Sequence, residues 1–249
     1  MMAEALDPTL VKAVSDRLEQ VKTRVAQVAT KSGRGIQQVE IVTVTKRQPI
    51  ALVRAAYDCG LRIFGENYAE EAVRKIEELS DLPGIQWDMV GHVQSRKVKL
   101  LANVVHRVHS VDSEKLARMF NEMRSPELSP LQVLLEVNVS GEASKEGLDG
   151  TDTTRWEKFL PLVDQMLELP RLRVTGLMTM PPLQADMEAN RVYFRKLREL
   201  RDYLNTCRPE LKLTELSMGT SSDFAVAIEE GATIIRLGEA ILGPRPPRE

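Results

Sequence analysis

Apolar residues near the N-terminus recur at intervals of three and four positions, the spacing that places side chains on one face of an α-helix. This stripe consists of Val11, Val14, Leu18, Val21, Val25 and Val28. Asp7 is suited to cap the start of the helix, with Pro8 at its first position. Gly33 and Gly35 indicate where it ends.

Beyond this helix, short β-branched and apolar runs alternate with stretches of helical spacing. Eight runs are predicted to be strands: residues 40–45, 61–64, 86–90, 104–108, 131–139, 172–178, 213–216 and 233–237. Strands that alternate with helices are typical of parallel βαβ units, and eight of them favour a closed (β/α)₈ TIM barrel of the α/β class over an open sheet. The 249 residues match the usual size of such a barrel.

The domain organisation expected from this pattern is one barrel domain over residues 1–249. Residues 1–35 would hold the extra N-terminal helix, and the proline-rich tail at 244–249 is expected to fray. No window reaches the roughly 18 apolar residues of a membrane span, and the first residues lack the basic and apolar regions of a secretory signal. Cys59 and Cys207 form no disulfide framework. We therefore expect a cytoplasmic protein.

Composition narrows the function classes only slightly. Apolar residues make up 43% and charged residues 28% of the chain, and the net charge is −2. A balanced charge does not indicate a general nucleic-acid partner, although Arg96, Lys97 and Lys99 form a short basic stretch.

The first candidate for chemistry is Lys46, at the C-terminal end of the first predicted strand, where barrel enzymes place their active sites. A lysine there can form a Schiff base if its pKa is lowered. Burial and a like-charged neighbour such as Arg47 would both lower it. The alternative is a solvated lysine that closes a strand. Asn67, after the second strand, could orient a ligand, or could simply cap the next helix.

Two glycine-containing segments follow the last two predicted strands. They are Ser217-Met218-Gly219-Thr220-Ser221-Ser222-Asp223 and Arg236-Leu237-Gly238-Glu239-Ala240. Barrels commonly build a phosphate site from these two loops and a short extra helix, which Ile241 and Leu242 would form here. The alternative is a set of ordinary helix caps and turns.

The histidines do not indicate a metal site. His106 and His109 fall in the fourth predicted strand, where a separation of three sends side chains to opposite faces. His92 follows the third strand, where a cavity position and a loop position fit equally well. Glu136 and Asn138 alternate with apolar residues on the fifth strand. They could form a polar layer inside the barrel or contact helices outside it.

Several segments together resemble the pyridoxal phosphate homeostasis protein family, whose fold is like the N-terminal domain of alanine racemase. They are VTVTKRQP, FGENY, WDMVGHVQSRK, VHSVDS, LLEVNVSGEASKEG, LRVTGLMTMP, LSMGTSSDF and AIEEGATIIRLGEAILGPR. The resemblance extends from about Val11 to Arg245, and it depends on the order and joint presence of these segments.

This resemblance implies pyridoxal 5′-phosphate (PLP) as the cofactor and a role for each matching residue. The implied roles are Lys46 as the internal aldimine, Asn67 on the cofactor side of the cavity, Met178 near the ring, Ser217, Gly219 and Ser221 at the phosphate end, Gly238 and Glu239 as backbone donors to the phosphate, and Arg236 at the pyridine nitrogen. Glu239 departs from the family pattern, in which threonine is frequent, so its carboxylate must point away from the phosphate.

Arg236 also bears on activity. Arginine stays protonated and has no acceptor, so it cannot leave a proton on the pyridine nitrogen, and a full quinonoid carbanion is disfavoured. The resemblance therefore implies a PLP carrier that contributes to intracellular PLP homeostasis without efficient turnover. One rival is a fold-type III amino-acid racemase, a class that resembles this barrel but adds a C-terminal β domain. Another is a Schiff-base aldolase without PLP.

The partners expected on this interpretation are PLP itself, and free amino acids or apo PLP-dependent enzymes as its acceptors. Neither a membrane nor nucleic acid is indicated, and the expected state is a monomer or a weak dimer.

Overall fold

The computed structural model of the protein describes residues 7–142, 146–182, 184 and 186–246. Its helices within these residues are α1 (Pro8–Lys31), α2 (Ile50–Asp58), α3 (Ala69–Glu78), α4 (Val98–Leu101), α5 (Glu114–Met123), α6 (Phe159–Leu167), α7 (Arg191–Cys207), α8 (Phe224–Glu229) and α9 (Glu239–Leu242). The strands are β1 (Glu40–Val44), β2 (Ile63–Glu66), β3 (Gln86–Met89), β4 (Arg107–Val111), β5 (Leu131–Asn138), β6 (Leu148–Asp149), β7 (Leu172–Met178), β8 (Glu215–Ser217) and β9 (Ile234–Leu237).

Eight of these strands close into a parallel barrel. Their hydrogen-bonded order is β1, β2, β3, β4, β5, β7, β8 and β9, and β9 pairs back onto β1. The two-residue β6 pairs with β5 outside this ring, and the sequence did not predict it. The predicted (β/α)₈ barrel is confirmed.

Side chains alternate between the barrel interior and the layer of helices, as the pleat of a strand requires. Val42 in β1 belongs to a small interior cluster, whereas its neighbour Ile41 packs into the main core between strands and helices. The other buried members of the interior cluster are Val90, Leu134, Met178 and Ile234. The same alternation directs Val44 to the interior side of β1. Lys46 follows in the turn after the strand, at the end where all eight strands finish.

The N-terminal helix α1 packs across the outside of the barrel against α2, α8 and α9. The Asp7 carboxylate accepts the Thr9 N–H at 2.8 Å and caps the helix, as predicted. The predicted stripe lies against the core, and its buried members are Val14, Leu18, Val21, Val25 and Val28. Gly33 follows the helix with a φ of +71°, a conformation that glycine adopts without steric cost.

Three of the predicted strands begin two or three residues too early. The second, fourth and seventh strands run at 63–66, 107–111 and 215–217 instead of 61–64, 104–108 and 213–216. The largest shift has a clear cause. The N–H groups of Val104 and Val105 both donate to the Leu101 carbonyl, so this β-branched pair completes the turn after α4 and does not begin a strand.

The C-terminal residues that follow α9 form no helix or strand as far as Pro246. The Pro246 carbonyl accepts a hydrogen bond from the Arg47 guanidinium at 2.9 Å. Fraying was predicted for 244–249, and its last three positions lie outside the described residues. Within the described part of the chain, no helix is long and apolar enough to cross a membrane.

Candidate functional site

Lys46 lies at the C-terminal mouth of the barrel, in the turn between β1 and α2. Burial lowers the pKa of its ammonium group, and the positive charges of Arg245 and Arg236 act in the same direction. The direction predicted from sequence is therefore confirmed. The like charges that act on Lys46 are those of Arg245 and Arg236, and not that of Arg47, the example offered from the sequence.

Arg236 is held beneath the mouth by acceptors on two neighbouring strands. Its Nη1 donates to the Ser217 carbonyl at 2.8 Å and to the Ser217 hydroxyl at 2.7 Å, and its Nη2 donates to the Thr179 carbonyl at 3.0 Å. Burial lowers the pKa of Arg236 to about 10, so the guanidinium remains cationic at neutral pH. These bonds use both terminal nitrogens, and Nε has no hydrogen-bond partner among the described residues.

A buried histidine and aspartate continue this network into the barrel. His109 Nδ1 lies 2.8 Å from the Ser217 hydroxyl, and His109 Nε2 lies 2.9 Å from Asp88 Oδ2. Burial lowers the pKa of His109, so its ring is neutral and carries one proton. Because the Asp88 carboxylate only accepts, that proton resides on Nε2, and Nδ1 accepts from the Ser217 hydroxyl. The serine oxygen can then accept from Arg236.

Arg107 extends the network to the opposite end of the barrel. Its Nε donates to Asp88 Oδ2 at 3.0 Å, Nη1 donates to Glu215 at 3.2 Å, and Nη2 also bonds Glu40. Burial alone would raise the pKa of Asp88. The hydrogen bonds from His106 and His109, together with the positive charge of Arg107, outweigh it and hold that pKa well below its usual range. We call the series Arg107, Asp88, His109, Ser217 and Arg236 the interior chain.

The interior chain corrects the prediction for the two histidines. His106 precedes β4, and its Nδ1 lies 3.4 Å from the Asp88 carboxylate that His109 also contacts. The two side chains therefore converge on one residue, because the strand begins after His106 and the alternation rule does not apply to it.

The loops after β8 and β9 meet as the phosphate-site hypothesis requires. The Ser221 hydroxyl accepts the Ala240 N–H at 3.2 Å, which joins the first loop to α9. Gly238 lies against β1, where a Cβ atom would approach the Val44 carbonyl to 3.1 Å. Glu239 is solvent-exposed, which is compatible with a carboxylate directed away from a phosphate. The hydroxyl of Ser217, in contrast, is bonded within the interior chain.

Asn67 and Met178 lie on opposite sides of Lys46 around the barrel mouth. Asn67 is half-buried in the turn between β2 and α3, and its backbone packs against Gly91, where a Cβ atom would approach the Asn67 carbonyl to 2.5 Å. Met178 ends β7 and is 2% exposed within the interior cluster.

A second set of ionisable groups lies at the mouth near the end of β5. Burial, together with the negative charge of Asp112, raises the pKa of Glu136 to about 7. Its Oε2 atom is buried and has no hydrogen-bond partner among the residues that the structure describes. His92 Nδ1 lies 3.3 Å from Asp112 Oδ2. Glu136 lies two positions after Leu134 of the interior cluster and pairs in register with Met178, so its side chain faces the barrel interior and not the outer helices.

Sequence reasoning missed the residues behind these groups. Asp88, Arg107 and Lys75 are charged and almost fully buried. A signal existed for the first two, because both interrupt predicted strands at interior positions. Lys75 lies on the face of α3 that also buries Ala72, so a charge on an apolar helix face could have revealed it.

Comparison with known proteins gives consistent matches over most of the chain. The family described as "Alanine racemase, N-terminal domain" matches residues 17–246. The pyridoxal phosphate homeostasis protein of Pseudomonas aeruginosa is 42% identical over 94% of this chain and 97% of its own length.

Solved structures agree with these matches. PipY of Synechococcus elongatus, solved with PLP bound, aligns with a TM-score of 0.79 and 32% identity, over 92% of this chain and all of PipY. Alanine racemase of Corynebacterium glutamicum aligns with a TM-score of 0.61 and 16% identity, over 93% of this chain and 61% of the racemase. The latter likeness concerns the fold alone.

Proposed function

Because the chain belongs to the pyridoxal phosphate homeostasis protein family, we propose that it binds PLP at the C-terminal mouth of its barrel and contributes to intracellular PLP homeostasis. The observation that carries the proposal is a half-buried Lys46 at the mouth, beside a buried, anchored Arg236 on the neighbouring strand β9. When bound, PLP supplies an aldehyde carbon that bonds reversibly to amines.

The residues at the mouth fit such a group. Lys46 would bond the aldehyde carbon, since its lowered pKa favours the neutral, nucleophilic amine. Arg236 would donate to the pyridine nitrogen through Nε. The remaining positions we propose are Asn67 and Met178 beside the ring, Ser221 and the backbone of Gly219, Gly238 and Glu239 at the phosphate, and Ser217 as the support of Arg236.

We propose further that the protein does not turn over a substrate efficiently. Arg236 stays cationic and has no acceptor, so it cannot leave a proton on the ring nitrogen. Racemisation also needs a positioned acid or base on each face of the cofactor. Tyr57, Tyr193 and Tyr203 lie in α2 and α7 outside the barrel. Tyr68, which precedes α3 beside the mouth, is 52% exposed.

A carrier of this kind would exchange PLP with free amino acids or with apo PLP-dependent enzymes, and we propose that it acts as a monomer or a weak dimer. The cytoplasm suits it, since Cys59 and Cys207 are both free thiols and would stay reduced there.

Trapping on Lys46 tests the binding proposal. We expect PLP to give a visible absorbance band that borohydride removes, and peptide mapping to find the pyridoxyl group on Lys46. Lys46→Ala should lose the band and weaken PLP binding by roughly 10- to 100-fold. The control is Lys12→Ala, which removes an exposed lysine of α1 that pairs with Asp16. A pyridoxyl group mapped to another lysine would contradict the assignment.

Isotope exchange separates the carrier from the racemase. We expect amino acids to change the spectrum of the PLP-loaded protein without deuterium wash-in at Cα of alanine. Wash-in at rates typical of enzymes, on the order of 1–10³ s⁻¹, would favour the racemase instead.

A further inference from the structure

The two peptide groups on either side of Lys46 are both held from behind the barrel wall. The Thr45 carbonyl accepts a hydrogen bond from Lys75 Nζ at 2.5 Å. The Arg47 N–H donates to Glu71 Oε1 at 2.6 Å. The backbone of Lys46 is therefore fixed at both of its ends by side chains of a single helix, α3.

Lys75 joins these contacts into one unit. Its side chain is 0% exposed, and its ammonium donates to Glu66 Oε1 at 2.6 Å and to Glu71 Oε1 at 2.7 Å, in addition to the Thr45 carbonyl. Three acceptors use all three ammonium protons, so the direction of each bond is determined. We call Lys75, Glu71 and Glu66 the clamp.

The turn needs an external restraint because of its conformation. Arg47 has a φ of +60°, in the left-handed region that residues other than glycine seldom adopt. Such a conformation persists only where the surroundings determine it. The Glu71 carboxylate supplies this restraint at the Arg47 N–H, and Lys75 in turn fixes that carboxylate.

The clamp lies outside the cofactor cavity. Gly65 in β2 faces the interior cluster, where a Cβ atom would meet Val42 and Val90. The next residue, Glu66, therefore faces the outer layer, and there it accepts the Thr45 hydroxyl at 2.5 Å. Lys75 lies on the buried face of α3, which packs on β2 and β3. The clamp can thus set the direction of the Lys46 side chain without contacting a ligand.

We propose that Lys75 and Glu71 are positioning residues for Lys46, which hold the turn in the one conformation that aims its amine at the aldehyde carbon of the bound cofactor. This inference rests on the proposed PLP site, and it assigns the orientation of Lys46 within that site to side chains of α3. Small displacements of a reacting group reduce reactivity strongly, so the clamp should affect bond formation more than the binding of ring and phosphate.

Two ligands separate these contributions. PLP carries the aldehyde, whereas pyridoxine 5′-phosphate has an alcohol in its place and keeps the ring and phosphate. The experiment measures the affinity of the full-length apo-protein for both ligands and the yield of borohydride-trapped pyridoxyl on Lys46. The readout of positioning is the ratio of the two affinities, which a general loss of the site does not change.

The principal variant is Glu71→Ala, because Glu71 is 15% exposed and its removal leaves the Lys75–Glu66 pair intact. We expect the preference for PLP over pyridoxine 5′-phosphate to fall roughly 10- to 100-fold, with the affinity for pyridoxine 5′-phosphate retained. Glu71→Gln keeps an acceptor for the Arg47 N–H and should restore most of the preference. The matched control is Arg74→Met, in the same helix, which removes an exposed ion pair with Glu78.

Lys75→Met is a stronger test, but it leaves two carboxylates without their cation and can prevent folding, so it is interpreted only if its unfolding transition remains cooperative. Equal losses for both ligands in Glu71→Ala, or a preference unchanged from wild type, would overturn the positioning role. A wild type that neither prefers PLP nor traps it on Lys46 would instead reject the proposed function, so the two failures are distinguishable.

Discussion

Gly219 illustrates how one residue allows the loop after β8 to reach the mouth. Its φ is +92°, and a Cβ atom there would lie 2.6 Å from the Ala227 Cβ and 3.0 Å from the Phe224 Cα. The chain must therefore be glycine at this point for two separate reasons, backbone conformation and lack of space. Both reasons are visible only in the structure, although a glycine beside small hydroxyl residues was a signal in the sequence.

We expect Gly219→Ala to lower the free energy of unfolding by more than about 2 kcal/mol, because strain at positive φ and overpacking each cost roughly 1–3 kcal/mol. Gly60→Ala is the matched control. Gly60 also has a positive φ, +89°, but a Cβ atom added there would have no neighbour within 4 Å among the described residues. Urea denaturation of both variants should show the larger loss at Gly219. Equal losses would mean that conformation alone explains the glycine.

At the scale of elements, α1 is the helix that the sequence predicts most clearly. It is not needed to close the barrel. It packs on α2, α8 and α9, and its Arg17 donates to the Ile241 carbonyl of α9 at 3.4 Å. Because α9 follows Gly238, α1 supports the outer side of the loop proposed to hold the cofactor phosphate.

Leu18→Ala should therefore destabilise the protein by about 2–5 kcal/mol, since Leu18 is 2% exposed and its loss leaves a cavity beneath α1. Lys12→Ala, on the exposed face of the same helix, should change stability by no more than about 0.5 kcal/mol. Thermal unfolding monitored by circular dichroism measures both. A Leu18 variant as stable as the Lys12 variant would contradict the packing of α1.

The elements also show what sequence patterns can and cannot predict. The stripe of α1 and the strand at 172–178 were predicted correctly, because apolar periodicity reports the side chains that a core buries. The fourth strand was predicted too early because Val104 and Val105 resemble strand residues, whereas the interior positions of the actual strand hold Arg107 and His109, whose partners come from β3 and β8. A polar barrel interior depends on contacts distant in sequence, so local periodicity cannot reveal it. Lys46 could be proposed from the sequence because it directly follows a predicted strand, whereas the clamp behind it depends on contacts with α3 that local patterns do not show.

For the whole molecule, two buried carboxylates make the free energy of unfolding depend on pH in opposite directions. The folded pKa of Asp88 lies below its unfolded value, so its contribution is present above the unfolded pKa and is lost as the pH falls through the folded one. Glu136 behaves in the reverse way. Its folded pKa of about 7 exceeds the ordinary 4.5, so its contribution is present below 4.5 and is lost as the pH rises towards 7.

Glu136→Gln should consequently raise stability at pH 8 more than at pH 5, by roughly 1–3 kcal/mol, because each pKa unit corresponds to about 1.4 kcal/mol. Urea denaturation at the two pH values measures this difference. A Glu136 variant that gains equally at both pH values would place the glutamate in solvent, outside the cavity.

The interior chain has a consequence for how protons can move through the barrel. Its hydrogens have one order, from the Ser217 hydroxyl to His109 and from His109 to Asp88. To carry a proton from Asp88 towards the mouth, every hydrogen bond in the interior chain would have to exchange its donor and acceptor. The transfer would also stop at Arg236, which cannot accept a proton. The interior chain therefore does not conduct protons between the two ends of the barrel. A ring resting on Arg236 would exchange protons with the solvent above it, and not with the floor of the barrel.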